Sequence, residues 1–304
     1  MTSRPNDSAW LTGYIPDLPT PFDEADRIDL KALERLCERQ IAAGVSALVV
    51  CETAGEAPTL SDAERDMIVR AAVEIVQGRA RVIAGTGSNS TNKAIEATQR
   101  AEAAGADAVL SVVPCHHGPM QNGIYAHFCA IANSTGLPII LHDVPARTVG
   151  ELADETLVRL AESKQFVGLK DGAGDIRRPM RLSSLLRSDF RSLSGHDGNA
   201  VAYIAEGGDG CISLLANVSP DLCQIIFSSV RQGRLQTARY FQARLALLES
   251  CLTKESPAAL KYALSLLNLM RPGTRLPIVQ LDEDAMDEVA KAIAGIESIG
   301  RARL

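Results

Sequence analysis

The 304-residue chain has no apolar stretch approaching membrane-spanning length, no CxxC pair and no excess of basic residues. Each absence removes a class of protein. Without such a stretch no membrane helix is expected. The opening Met-Thr-Ser-Arg-Pro-Asn-Asp-Ser lacks an apolar core of the length a secretory signal uses. The seven cysteines (Cys37, Cys51, Cys115, Cys129, Cys211, Cys223 and Cys251) are odd in number and widely spaced, several of them inside apolar runs. They read as buried free thiols of a reducing compartment. The net charge of -6 argues against nucleic acid or an acidic membrane as partner. A cytoplasmic protein is the expectation.

With 46% hydrophobic and 22% charged residues, the composition is that of a globular chain with a real core, one large domain or two ordinary ones. Short apolar runs alternate with amphipathic stretches. Strands are predicted at 11–18, 47–51, 81–84, 108–113, 138–141, 167–169, 191–194 and 210–214. Leu30, Leu33, Cys37 and Ile41 form a helical stripe that stops at Gly44, and Ser61 with Glu64 forms a capping box opening a helix to Gln77. Eight βα units in about 230 residues, with no dinucleotide GxGxxG after the first strand, predict a TIM (β/α)8 barrel over 1–231. Past Ser219 the alternation stops. Helical stretches near 234–252, 255–269 and 282–295 predict a C-terminal helical extension over 232–304.

Chemistry in such a barrel sits at the C-terminal strand ends. The run Phe166-Val167-Gly168-Leu169 ends on Lys170, and Asp171-Gly172-Ala173-Gly174-Asp175 follows at once. A lysine there, walled by apolar groups, is expected to have a lowered pKa, and its free amine can attack a ketone to form a Schiff base. The plain alternative is a lysine that ends a strand and reaches water. The loop Cys51-Glu52-Thr53-Ala54-Gly55-Glu56 suits bringing a hydroxyl and backbone amides near a ligand, or merely caps the barrel. Gly85-Thr86-Gly87-Ser88 is a weak anion cradle. Cys115-His116-His117 invites a metal, but adjacent side chains point apart and no spaced second pair accompanies them. Arg147 can grip a carboxylate bidentately or stay solvated.

Taken together, Pro19-Thr20-Pro21-Phe22, the Thr53-x-Gly55-Glu56 loop, Gly85-Thr86-Gly87, Val144-Pro145-x-Arg147-Thr148, Gly168-Leu169-Lys170-Asp171 and Gly207-Gly208-x-Gly210-Cys211-Ile212-Ser213 resemble the dihydrodipicolinate synthase/N-acetylneuraminate lyase family. The match runs in order from about residue 10 to the C-terminal helices. The resemblance implies a TIM barrel with a helical extension, usually a homotetramer built as a dimer of dimers. It also implies a pyruvate-type Schiff-base lyase without metal or organic cofactor, taking a 2-oxo acid such as pyruvate and an aldehyde.

On that frame Lys170 matches the Schiff-base lysine and Thr53 the proton-relaying threonine. Arg147 matches the arginine that receives the aldehyde substrate's carboxylate. Ala54, Gly55 and Ile212 fall at substrate-binding positions. Departures are specific. His142 stands where the family has its proton-shuttling tyrosine, and His116 where a second tyrosine comes from a neighbouring subunit. Ala54 replaces the carboxylate-binding threonine. Both histidines can relay protons, and His142 would then put an ionisation near neutrality into the pH–rate profile. The family frame also brings Lys93 and Cys115 to positions that hold L-lysine in inhibited relatives, with Asp62 and Arg65 nearby. The implied activity is 4-hydroxy-tetrahydrodipicolinate synthesis from pyruvate and aspartate 4-semialdehyde. The alternatives are an aldolase or dehydratase for a 2-keto-3-deoxy sugar acid or related 2-oxo acid, and a non-catalytic paralogue.

Overall fold

The computed structural model describes residues 8–115, 120–148 and 150–301. Eight parallel strands, β1 Gly13–Pro16, β2 Ala47–Val50, β3 Arg81–Gly85, β4 Ala108–Val112, β5 Ile139–Asp143, β6 Phe166–Asp171, β7 Arg191–Ser194 and β8 Gly210–Ser213, form one sheet. Its hydrogen-bonded order is β1-β8-β7-β6-β5-β4-β3-β2. The ring closes between β1 and β2 through a single bridge, Asp17 with Val49, in which the Leu18 N–H donates to the Val49 carbonyl at 2.9 Å. At the other end of that seam the Ser46 hydroxyl donates to the Thr12 carbonyl. The expected (β/α)8 barrel is present.

Two apolar layers account for the strand pattern. Leu11, Ile15, Ala47, Val49, Ile83 and Leu110, among others, fill the barrel, while alternate residues such as Leu48, Val50, Val82, Leu141 and Leu169 pack outward against the helices. The strands are buried on both faces, which is why they read as continuous apolar runs. The helices begin and end as their chemistry dictates. Ser61 and Glu64 make the reciprocal capping box of helix Asp62–Val76, and Gly44 past helix Leu30–Ala42 takes a φ of 77° that a side chain would resist.

Strand β6 is longer than the apolar run predicts and includes Lys170. Its register against β5 slips between Ile139 and Ile140, which pair with Phe166 and Gly168, so Val167 is the extra residue of a bulge. The bulge lets both Val167 and Lys170 face the barrel interior while Leu169 faces out. A one-turn helix at Pro145–Thr148 directly after β5 and another at Leu215–Val218 after β8 have no counterpart in the sequence periodicity, being too short to show one. Helices Pro220–Arg231, Leu235–Lys254, Ala258–Leu266 and Glu283–Arg301 complete the chain. No helix among the described residues is long and apolar enough to cross a membrane. All seven cysteines are free thiols.

Candidate active site

Lys170 and His142 are register partners on β6 and β5, so both side chains leave their strands at the same level. Both are buried, Lys170 at 5% exposure and His142 at 4%. The loop after β2 reaches them because Cys51 adopts a φ of 56°, a left-handed conformation that turns the next residue into the barrel. Gly85 makes room for that turn: a Cβ there would lie 2.2 Å from the Cys51 carbonyl oxygen. The residue delivered is Glu52. One of its oxygens lies 3.2 Å from Lys170 Nζ, and the other lies 2.9 Å from His142 Nδ1. Asp17, just past β1, completes the cluster with Oδ2 at 3.4 Å from Lys170 Nζ.

Electrostatics divide these four groups. Burial alone would lower the Lys170 pKa, as its apolar walls lead one to expect, but Glu52 and Asp17 outweigh burial and raise it. In the free site Lys170 is therefore an ammonium, a correction to the free amine expected from the sequence. Burial pushes Glu52 up, yet Lys170 and His142 outweigh it and hold the carboxyl well below the usual range. His142 is pushed down by burial and by the Lys170 cation against the pull of Glu52, and so is neutral. Asp17, with burial as the main cause, rises to about 7. Within this cluster it is Asp17, and not His142, that is pushed toward neutrality.

Among the described residues, two cavities open on the cluster. An inner chamber of about 100 Å³ is walled by Asp17, Thr53, His142, Lys170, His196 and Ile212, among others. An outer one of about 400 Å³ runs over Glu52, Arg65 and Cys115. Thr53, His142, Val144, Arg147 and Ser256 line both. A lysine at the floor of a small chamber that leads into a larger one can carry a two-substrate carbon–carbon reaction through an imine.

The dihydrodipicolinate synthetase family model matches residues 10–296. The chain belongs to that family. It is 44% identical over 291 residues to the 4-hydroxy-tetrahydrodipicolinate synthase of Hyphomonas neptunium, covering 94% of this chain and 99% of the relative. Among solved structures, the chloride-inhibited dihydrodipicolinate synthase of Acinetobacter baumannii, complexed with pyruvate, superposes with a TM-score of 0.90 at 37% identity, covering 93% of this chain and 98% of that one. A monomeric dihydrodipicolinate synthase variant superposes with a TM-score of 0.92 at 34% identity, over 95% of this chain and 98% of its own.

Within this family frame the predicted residues separate clearly. Lys170, His142, Thr53, Arg147 and Ile212 meet at the inner chamber. Ala54 is buried and Gly55 lies behind the wall, its carbonyl accepting the Thr20 hydroxyl at 2.7 Å. His116 lies outside the described residues. The Thr53 N–H, one of the amides expected to face a substrate carboxylate, donates instead to the Glu52 carboxylate. Asp17, Glu52 and His196 were not singled out from the sequence. Asp17 follows β1 immediately and Glu52 follows β2 after Cys51; the strand-end rule applied to every charged residue would have found Glu52, whereas the predicted first strand, 11–18, hid Asp17 inside it. His196 Nε2 lies 3.0 Å from the Gly172 carbonyl, after β7.

Proposed function

We propose that this chain is a 4-hydroxy-tetrahydrodipicolinate synthase that condenses pyruvate with aspartate 4-semialdehyde through an imine on Lys170. The observation that carries the reading is the placement of Lys170 Nζ at the inner chamber, whose volume of about 100 Å³ suits a three-carbon oxo acid. The protonated imine acts as an electron sink, so a methyl proton leaves and an enamine forms. The enamine carbon then attacks the aldehyde in the outer cavity. Thr53 and His142, which line both cavities, are in place to relay protons between them. With Glu52 ionised, the pair selects the His142 tautomer protonated on Nδ1, leaving Nε2 to accept or return a proton. Arg147, exposed at the mouth, receives the aldehyde substrate's carboxylate.

Borohydride added with pyruvate tests this. A reduced pyruvyl mass on Lys170 and an inert Lys170→Ala enzyme are expected; an unmodified Lys170 at saturating pyruvate refutes it. A second reading, an aldolase or dehydratase for a 2-keto-3-deoxy sugar acid, draws support from Asp17, whose unpartnered Oδ1 is an acceptor suited to a sugar hydroxyl. Trapping with a panel of 2-oxo acids separates the two. The enzyme works as a cytoplasmic homotetramer on this proposal, supported by its free thiols and by the exposed apolar side chains Met120, Met180 and Leu185. Sedimentation equilibrium at four chain masses is the expected result.

A further inference from the structure

Two carboxylates share the Lys170 cation, and their other contacts differ. Glu52 has three partners: Lys170 Nζ, His142 Nδ1 and the Thr53 N–H. It is a fixed anion. Asp17 meets Lys170 through Oδ2 and also comes within hydrogen-bonding reach of the Glu52 carboxyl; its Oδ1 is buried with no partner among the described residues, and the residue lines the inner chamber. The backbone that carries it is pinned. The Asp17 N–H donates to the Ser213 carbonyl at 3.0 Å, and its carbonyl accepts from Asn217 Nδ2 at 2.8 Å. A side chain 2% exposed, held by its backbone and left with an unpartnered oxygen beside the reacting nitrogen, is poised to exchange a proton with it.

We propose that Asp17 is the proton carrier for imine formation and release at Lys170. This assignment rests on the Schiff-base reading of Lys170. The Asp17 carboxylate takes a proton from the Lys170 ammonium, giving a carboxylic acid and a free amine. The amine lone pair attacks C2 of the oxo acid, and the carbonyl pair moves to oxygen. One proton shifts from nitrogen to that oxygen, giving a neutral carbinolamine. The Asp17 acid then protonates the hydroxyl, water leaves, and the nitrogen lone pair closes the iminium. Asp17 ends as the carboxylate it began as, so the sum is ketone plus ammonium giving iminium plus water. Glu52 stays ionised throughout and keeps the charged nitrogen in place.

The groups facing Asp17 are Lys170 from β6, Glu52 after β2 and the Cys51 thiol, which burial holds protonated with a pKa of about 12. Only Lys170 favours ionised Asp17, against burial and Glu52, and the resulting balance near 7 suits a group that must both accept and return a proton. Because the folded Asp17 holds its proton to a higher pH than an unfolded one, its ionisation weakens the fold as pH rises above the acid range. The isosteric Asp17→Asn therefore removes a burden from the fold.

The test follows the rate at which pyruvate and borohydride label Lys170, by mass spectrometry, from pH 5.5 to 9. In the wild type the rate is expected to rise with pH through about 7. Asp17→Asn is expected to label at least about 100-fold more slowly and without that limb, yet reach full labelling on long incubation. Asp17→Ala, checked for folding by circular dichroism, carries the same expectation, with formate restoring the rate in proportion to its concentration. Labelling of either folded variant within threefold of wild type, or with the limb unchanged, overturns the proposal. A wild type that is never labelled overturns the Schiff-base reading as well, which separates the two failures.

Discussion

Lys261→Met is expected to destabilise the protein more than any surface change, and the structure says by how much. Lys261 and Glu56 form an ion pair with both side chains 0% exposed. Nζ also donates to the Gly273 carbonyl at 2.9 Å and sits 4.0 Å above the Phe22 ring. The other Glu56 oxygen accepts the Arg275 N–H at 3.0 Å, so the pair ties helix Ala258–Leu266 and the segment after it to the loop behind Glu52. Methionine fills the lysine's space but strands the carboxylate. Removing one partner of a buried pair costs about 3–5 kcal/mol, whereas replacing both with apolar or neutral groups is near neutral. With a urea slope of about 3 kcal/mol/M, the single variant should lose about 1 M or more in midpoint. Glu56→Gln combined with Lys261→Met should recover most of that loss. Urea melts of the four proteins in the cycle make the measurement. A single variant within about 1 kcal/mol of wild type, or a double variant as weak as the single, refutes the reasoning.

His142→Phe should lower turnover by about 100-fold or more while pyruvate still labels Lys170, and the limb near pH 7 should persist because Asp17 is untouched; loss of that limb in steady-state kinetics would return it to the histidine. Arg147→Leu should raise the aldehyde KM by about tenfold or more, the worth of a charge-assisted bond, and leave the pyruvate KM unchanged; a shift confined to pyruvate counts against the placement. L-Lysine should not inhibit below about 1 mM, where binding free energy is still about -4 kcal/mol. The cavity of about 230 Å³ lined by Asp62, Arg65, Lys93, Glu96 and Arg100 sets three cations against two carboxylates, a net positive charge that opposes an incoming ammonium.

The barrel was legible because its strands are buried on both faces and its helices carry stripes and caps, signals that need no neighbour to be read. Lys170 was legible by position, and its charge was not. Apolar neighbours along the chain, Val167 to Leu169, imply a depressed pKa, but the groups that decide it come from 118 and 153 residues away. Ala54 shows the same limit. The missing hydroxyl was visible; that the Thr53 amide beside it is already engaged by Glu52 depends on the left-handed turn at Cys51, a conformation its residue type does not announce.

The single bridge between β1 and β2 gives the molecule a place to open. Among the described residues every other neighbouring pair of strands shares a ladder, whereas this seam has a single bridge near its upper end and one side-chain bond near its lower. Lys170 stands across it, drawing Asp17 from the β1 side toward Glu52 from the β2 side. The reactive nitrogen is therefore also a clasp, and without its charge two carboxylates would face each other over the weakest join in the ring. Amide exchange at Leu18 measures how often that join parts. It should quicken in Lys170→Met, and in the wild type it should follow the fate of the lysine through each turnover.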